Sequence, residues 1–319
     1  MIQAAKGPAA PAPIGVVYNT SMSRPDAALA LAALYMFENK RESRVGAVCV
    51  AGAGLDTAIF CDIVARFYSG PAKNGNQALA VGLPDVSPLP PDPAMIRTAV
   101  DRKKENGDPQ YLRSIRKMSD TSLAEAVLLN GVTFNAEGVV VLSAPATWLG
   151  RALDLAGAKA QYKQRVKRLV IADSGEVQKD PAALRKVIAE WPTPVFFCGK
   201  DVGDALLFPG ANADKLFNWA PAHPVVDAYR AFKAMPYDAP LYDLAAVHYA
   251  VHPDSGFLNL SGTGTLSVGD DGSTKFTEGN GNVRRLAVDP AKKTQALEAL
   301  IAIACAKPAA PAGRGRGGL

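Results

Sequence analysis

Cysteine is scarce in this chain: there are four, Cys49, Cys61, Cys198 and Cys305, with no CxxC pair and no histidine close by. That excludes the usual zinc-binding spacings. Each lies in an apolar run, as in "GAVCVAG" (46–52) and "PVFFCGK" (194–200), so they read as buried free thiols. Aromatic residues are also few, at 7%, and no basic run is interleaved with them. Base stacking therefore has no platform, and nucleic acid is not an expected partner. The basic runs "DRKKENGD" (101–108) and "QYKQRVKR" (161–168) read as solvated helix faces or loops, within a net charge of only +5. No stretch reaches the roughly 18 uninterrupted apolar residues of a membrane-crossing helix. "GAGLDT" (52–57) and "GTGTL" (262–266) carry glycines but complete neither a dinucleotide fingerprint nor a P-loop. Histidine occurs three times, and His248 and His252 stand four apart in "HYAVHPD". No third ligand is near in sequence and Pro253 ends the helix, so the pair reads as an ordinary helix C-terminus.

What the chain has is apolar mass: 48% of 319 residues, rich in alanine. That is enough for a large core, with a composition suited to helices packed on a buried sheet. Strands are predicted at 14–18, 44–51, 77–83, 138–144, 168–172 and 193–199. Their apolar character is nearly continuous, as in strands buried on both faces. Helices are predicted at 25–39, 55–69, 120–130, 145–157 and 181–191, several opening on a start signal such as "SRPD" (23–26) or "KDPAAL" (179–184). The alternation gives an α/β class with an open, mostly parallel sheet flanked by helices. The Pro-rich, charged segment 84–118 reads as a long loop or lid with little helix. Further helices follow at 223–234 and 240–251. "GTLSVGDDGSTKF" (264–276) reads as a small hairpin with Asp-Gly at its turn, and a last helix spans 292–306.

The expected organisation is an Ala/Pro-rich linker over 1–13, one domain over 14–306, and a disordered tail over 307–319. The opening linker lacks an apolar signal core. It is compatible with an exported protein trimmed of its signal peptide, and otherwise with a cytoplasmic one.

Six segments, in order, carry a resemblance. They are "NTSMSRPDA" (19–27), "VCVAGAG" (48–54), "VVVLSAPATWLG" (139–150), "KDPAALRKV" (179–187), "GKDVGDALL" (199–207) and "APLYDLAAVHYAVHPD" (239–254). Together they resemble the nucleoside hydrolases, the inosine/uridine-preferring N-ribohydrolases, over about residues 14 to 304. That family's fingerprint is a first strand running into D-x-D-P-G-x-D-D-A. The resemblance implies a calcium ion held by carboxylates and a backbone carbonyl. The ion would position a water and the sugar hydroxyls while a carboxylate takes the water's proton.

Carried over residue by residue, the pattern is degenerate. Asn19 and Ser21 stand at the first two fingerprint acids, and Pro25 at the ribose-binding one. Asp26 alone matches. The calcium carbonyl would belong to Ser143 and the late calcium carboxylate to Asp243, with Tyr242 where the family usually has histidine. Ala53 replaces the asparagine of A-G-N, while Ser174 and Glu176 stand at the acid and asparagine of A-E-F-N.

The resemblance therefore implies at best a weak calcium site of Asp26, Asp243 and Ser143. Substrate contacts fall to Asn19, Ser21, Ala53, Asp173 and Tyr242, and Glu176 or Asp173 stands in as the base. Asp26 and Asp243 read equally as acids complementing helix N-termini, and Asp173 and Glu176 as a solvated loop. Two functions follow. One is a divergent N-glycosidase of weak or no activity, and the other a non-catalytic binder of a nucleoside, sugar or polyol; a scaffold without ligand is the third reading. A homo-oligomer is compatible with either. Residues 19–26, 51–54, 143–148 and 173–176 are expected to surround one cleft at the carboxyl ends of parallel strands.

Overall fold

The computed structural model describes residues 12–69, 80–133 and 137–308. Twelve strands occur among them: β1 (Ile14–Thr20), β2 (Ser43–Val50), β3 (Val81–Leu83), β4 (Ser122–Leu123), β5 (Gly138–Ser143), β6 (Val166–Ala172), β7 (Val195–Cys198), β8 (Leu207–Phe208), β9 (Ala239–Pro240), β10 (Leu258–Val268), β11 (Thr274–Glu278) and β12 (Val283–Val288). Ten of them form one sheet in the order β11-β10-β12-β7-β6-β5-β1-β2-β3-β4, and β8 and β9 pair separately. The sheet is parallel from β12 to β4, and only β10 runs antiparallel to its neighbours. The predicted pairing of 14–18 with 44–51 and 138–144, and of 138–144 with 168–172, is present.

The apolar continuity of the strands has a direct cause. Alternate residues of β1 and β5 feed two cores, with Val16, Tyr18, Val139 and Val141 on one side and Val17, Val140 and Leu142 on the other. The helix Pro25–Asn39 is buried from Pro25 to Phe37. It packs against four other helices as well as the sheet side. Its alanines follow from that position, because small side chains let helices approach from several directions.

The structure corrects several sequence expectations. The segment 84–118 is not a bare loop: Ala94–Asp101 is a helix, and Met95, Ile96, Ala99 and Val100 form its buried face. Three carboxylates pin the remainder. Asp92 accepts hydrogen bonds from Gly54 N (2.9 Å), Thr57 N (2.9 Å) and Thr57 Oγ1 (2.6 Å), at the start of the helix Leu55–Ser69. Asp62 accepts from Ser114 N and Ile115 N. Asp227 accepts from Arg102 and Tyr111. Proline and charge density thus mark a tethered segment, in which Asp92 caps a helix and Arg102 bridges to Asp227.

The helix predicted over 145–157 is shorter, at Thr147–Ala152, and a second helix, Ala158–Arg165, follows Gly157 in the left-handed region. The helix predicted over 120–130 begins at Ala124. The late hairpin forms as β10 and β11, turning at Asp271-Gly272 with Gly272 at φ +81°. Its link to the main sheet is β12, which the sequence reading did not foresee, because "VRRLAV" reads as a charged connector until β7 supplies its other edge. Residues 1–11, 77–79 and 309–319, which belong to the predicted linker, third strand and tail, lie outside the described residues. All four cysteines are free and buried, as expected. No described helix is long and apolar enough to cross a membrane.

Candidate functional site

β1 ends in Asn19 and Thr20 and is followed by Ser21, a polar triplet that the fold buries almost completely. Met22 then turns the chain through the left-handed region at φ +50°, and its N–H donates to Thr20 Oγ1 (3.1 Å). The turn sends the chain into Pro25 at the first helical position, with Asp26 in the first turn.

Asp26 is 1% exposed, yet it does not serve its own helix alone. Its Oδ2 accepts from Asp243 N (2.5 Å) and its Oδ1 from Leu244 N (3.2 Å). These are orphan donors at the start of the helix Tyr242–Val251, so Asp26 caps a second helix from across the core. Asp243, itself buried, has Oδ2 occupied by two hydroxyls, Tyr18 OH and Ser143 Oγ, each at 2.5 Å. Burial pushes both carboxyls above the usual aspartate range, and their mutual repulsion adds to this for Asp26.

Glu176 closes the next part of the rim. It accepts from Ser21 Oγ (3.0 Å) and pairs with Lys179 Nζ (2.8 Å). Asp173 accepts from Gln178 Nε2 (2.7 Å) and Thr274 Oγ1 (3.2 Å), which ties the loop after β6 to the first residue of β11. Both acids are buried, against the expectation of a solvated loop, and burial raises Asp173 above its ordinary range. The same loop borders an open cleft of about 500 Å³, whose lining includes Gly175, Gln178 and Lys179 on one side and Gly272 on the other.

Tyr242 donates to Asp204 Oδ1 (2.5 Å). Its ring covers Gly203, where a Cβ would lie 2.0 Å from Cδ1. Arg24 and Lys200 each approach that ring at 5.7 Å. Ala53 is a buried methyl beyond the left-handed Gly52 and brings no hydrogen-bonding side chain.

Of the predicted site residues, Asp26, Asp243 and Ser143 are joined directly, and Ser21 is joined to Glu176. Their carboxylates are engaged by protein donors. A general base needs a lone pair within reach of a water, and both oxygens of Asp26, Oδ2 of Asp243 and the Glu176 carboxylate already accept from N–H, O–H or ammonium groups. For a resident calcium ion the set is poor: both lone-pair directions of Asp243 Oδ2 are taken by hydroxyls, and each oxygen of Asp26 already accepts one N–H. The buried polar atoms without a protein partner include the amide Oδ1 and Nδ2 of Asn19 and the hydroxyl of Ser174. These are neutral groups that can donate to and accept from a ligand's hydroxyls, while an amide oxygen is also an ordinary calcium ligand.

Sequence reasoning missed Tyr18, a strand-interior tyrosine that reads as core. It missed Asp204 too, which lies in the family-like segment 199–207 but was given no role. The signal for Tyr18 would have been its phenol: a buried O–H requires an acceptor. His248 and His252 stack near Phe37, and His252 Nε2 meets Glu42 at 3.1 Å, so the pair belongs to packing.

No family model matches this sequence, and no curated protein matches it. Solved structures do. The inosine-uridine preferring nucleoside hydrolase of Bacillus anthracis is 15% identical, with a TM-score of 0.64 over 91% of this chain and 100% of that one. The purine-preferring ribonucleoside hydrolase of Gardnerella vaginalis is 16% identical, at 0.62 over 91% and 98%. The type III effector XopQ, solved with adenosine diphosphate ribose, is 14% identical, at 0.62 over 92% and 94%. At such identities the likeness speaks for the backbone and its topology, and on that ground the chain has the nucleoside-hydrolase fold.

Proposed function

We propose that this chain is a non-catalytic binder of a nucleoside or related ribosyl compound, using the cleft in which nucleoside hydrolases act. The observation that carries the reading is the contrast within one rim. Asp26, Asp243 and Glu176 are all engaged by protein donors, whereas the Asn19 amide is buried with neither Oδ1 nor Nδ2 partnered. An unpaired buried amide costs about 1–3 kcal/mol, which a ligand's hydroxyls would recover. The XopQ structure, with adenosine diphosphate ribose bound, supports a ribosyl ligand on this fold.

The runner-up is a slow N-glycosidase in which Glu176 leaves Lys179 and takes a proton from water. Without a metal-held water, and with a base that must first leave its ion pair, such turnover lies at least about a thousandfold below a typical enzyme.

A reducing-sugar assay over inosine, uridine and adenosine, paired with thermal unfolding in the same ligands and in ribose and adenosine diphosphate ribose, tests the reading. The expected result is no robust turnover and stabilisation by at least one ribosyl compound, about 2.7 kcal/mol at a hundredfold excess over Kd. Asn19→Leu should abolish that response while leaving the free protein as stable or more so, because it removes an unpaired polar group. Robust turnover lost in both Asp26→Ala and Asp243→Ala would establish the hydrolase instead.

A further inference from the structure

We infer that protein hydrogen-bond donors occupy the place of the cation that the nucleoside-hydrolase resemblance implies, making the Asp26–Asp243 pair a metal-independent lock between the helix Pro25–Asn39 and a late helix. Two buried carboxylates side by side need compensating positive charge or donors. Here the donors are four: the backbone N–H groups of Asp243 and Leu244 on Asp26, and the hydroxyls of Tyr18 and Ser143 on Asp243.

The distances say why a cation is displaced rather than merely absent from the scheme. Calcium sits about 2.3–2.6 Å from each carboxylate oxygen and needs six to eight such ligands. The two hydroxyl oxygens lie 2.5 Å from Asp243 Oδ2, at the range a calcium ion would require, and exhaust that atom's lone pairs. Each oxygen of Asp26 already accepts an N–H from the N-terminus of the helix Tyr242–Val251, whose dipole favours the negative charge, so a metal would have to share these oxygens with the helix. The positions that carry acids in the family's fingerprint hold Asn19 and Ser21, and the Ser21 hydroxyl is committed to Glu176. Among the described residues no three His, Cys, Asp or Glu side chains converge as a metal site.

Protein donors and a cation are alternative solutions to the same electrostatic problem, and this chain has the first. The consequence is a site whose integrity rests on two hydroxyls, Tyr18 from the middle of β1 and Ser143 from the end of β5. The inference stands on these hydrogen bonds alone, whatever ligand the cleft takes.

The test is thermal unfolding of the full chain in millimolar calcium and in EDTA, with calorimetric titration of calcium alone. The expected result for the wild type is the same Tm in both conditions and no saturable heat at micromolar calcium. Tyr18→Phe and Ser143→Ala are each expected to lower Tm in EDTA, because each strips one donor from a buried carboxylate. A wild-type Tm that rises with calcium, with the rise lost in Asp243→Asn, overturns the inference. So does an unchanged Tm in EDTA for both hydroxyl variants. The wild-type titration decides the matter by itself should either variant fail to fold.

Discussion

The phenol of Tyr18, in the interior of the first strand, donates a 2.5 Å hydrogen bond to Asp243, a residue 225 positions later in the chain. Ser143 Oγ reaches the same carboxylate oxygen at the same distance. Three elements, β1, β5 and the helix Tyr242–Val251, are thereby joined at one atom in the core.

Because both hydroxyls serve one oxygen, their removal should not be additive. Tyr18→Phe and Ser143→Ala are each expected to cost about 1–3 kcal/mol, the range for hydrogen bonds to a buried charged group. The double variant should differ from the sum by more than about 0.5 kcal/mol. Urea unfolding of the four proteins of this cycle measures it, and strict additivity would show that the two bonds act independently.

Gly203 lies beneath the ring of Tyr242, so Gly203→Ala must displace that ring, its Cβ falling 2.0 Å from Cδ1. Overpacking of this kind costs about 1–3 kcal/mol. It also breaks the bond from Tyr242 to Asp204. Tyr242→Ala in the same background should relieve most of the effect, which a pair of denaturation curves would reveal.

Asp92 caps the helix Leu55–Ser69 from a separate segment, accepting from Gly54, Asp56 and Thr57. Asp92→Ala should cost about 1–3 kcal/mol through lost capping and unsatisfied donors, and Asp92→Asn less. Limited proteolysis is the sharper readout: cleavage within 84–118 should accelerate in Asp92→Ala, and equal rates in variant and wild type would mean the tether is not what orders the segment.

His223 is 3% exposed, packed among Phe67, Phe217 and Trp219, and burial lowers its pKa to about 3. The unfolded chain binds that proton near pH 6.5 and the folded chain does not. Stability from this residue is therefore complete above about pH 6.5 and is lost as pH falls from there toward 3, by about 1.4 kcal/mol per unit. His248, lowered to about 4, adds the same sign. Asp26 and Asp243, with raised values, oppose it, since they bind protons more readily when folded. His223→Gln should accordingly flatten the acid limb of stability against pH, relative to wild type, when followed by urea unfolding between pH 4 and 7.

Much of the architecture was legible in the residues. "IGVVY", "GVVVLSA" and "RLVIA" are apolar throughout because each is covered on both faces, and that pattern needs only neighbours in sequence to be seen. The six family-like segments were legible for the same reason, since strand and turn signals are local, and the fold that they imply is the one observed. β12 was not legible, because a strand with two arginines becomes a strand only when β7 and β10 supply both edges. The helix Ala94–Asp101 was hidden by the prolines and charges around it, whose partners lie outside the segment.

The candidate site divides along the same line. Sequence by itself determined which residue types stand at the ends of the parallel strands: an amide and two hydroxyls on β1 and its loop, one matching aspartate in Asp26, and a second in Asp243. Only the tertiary structure decided what those acids do. Asp26 finds its donors 217 and 218 positions away, Asp243 finds its own at 225 and 100, and Glu176 meets Ser21 across 155. Hydrophobic patterning is a property of successive residues and survives in a linear reading. A hydrogen bond acts over about 3 Å and depends on direction, so whether a carboxylate is a base, a metal ligand or a helix cap is fixed by which donors the folded chain brings to it.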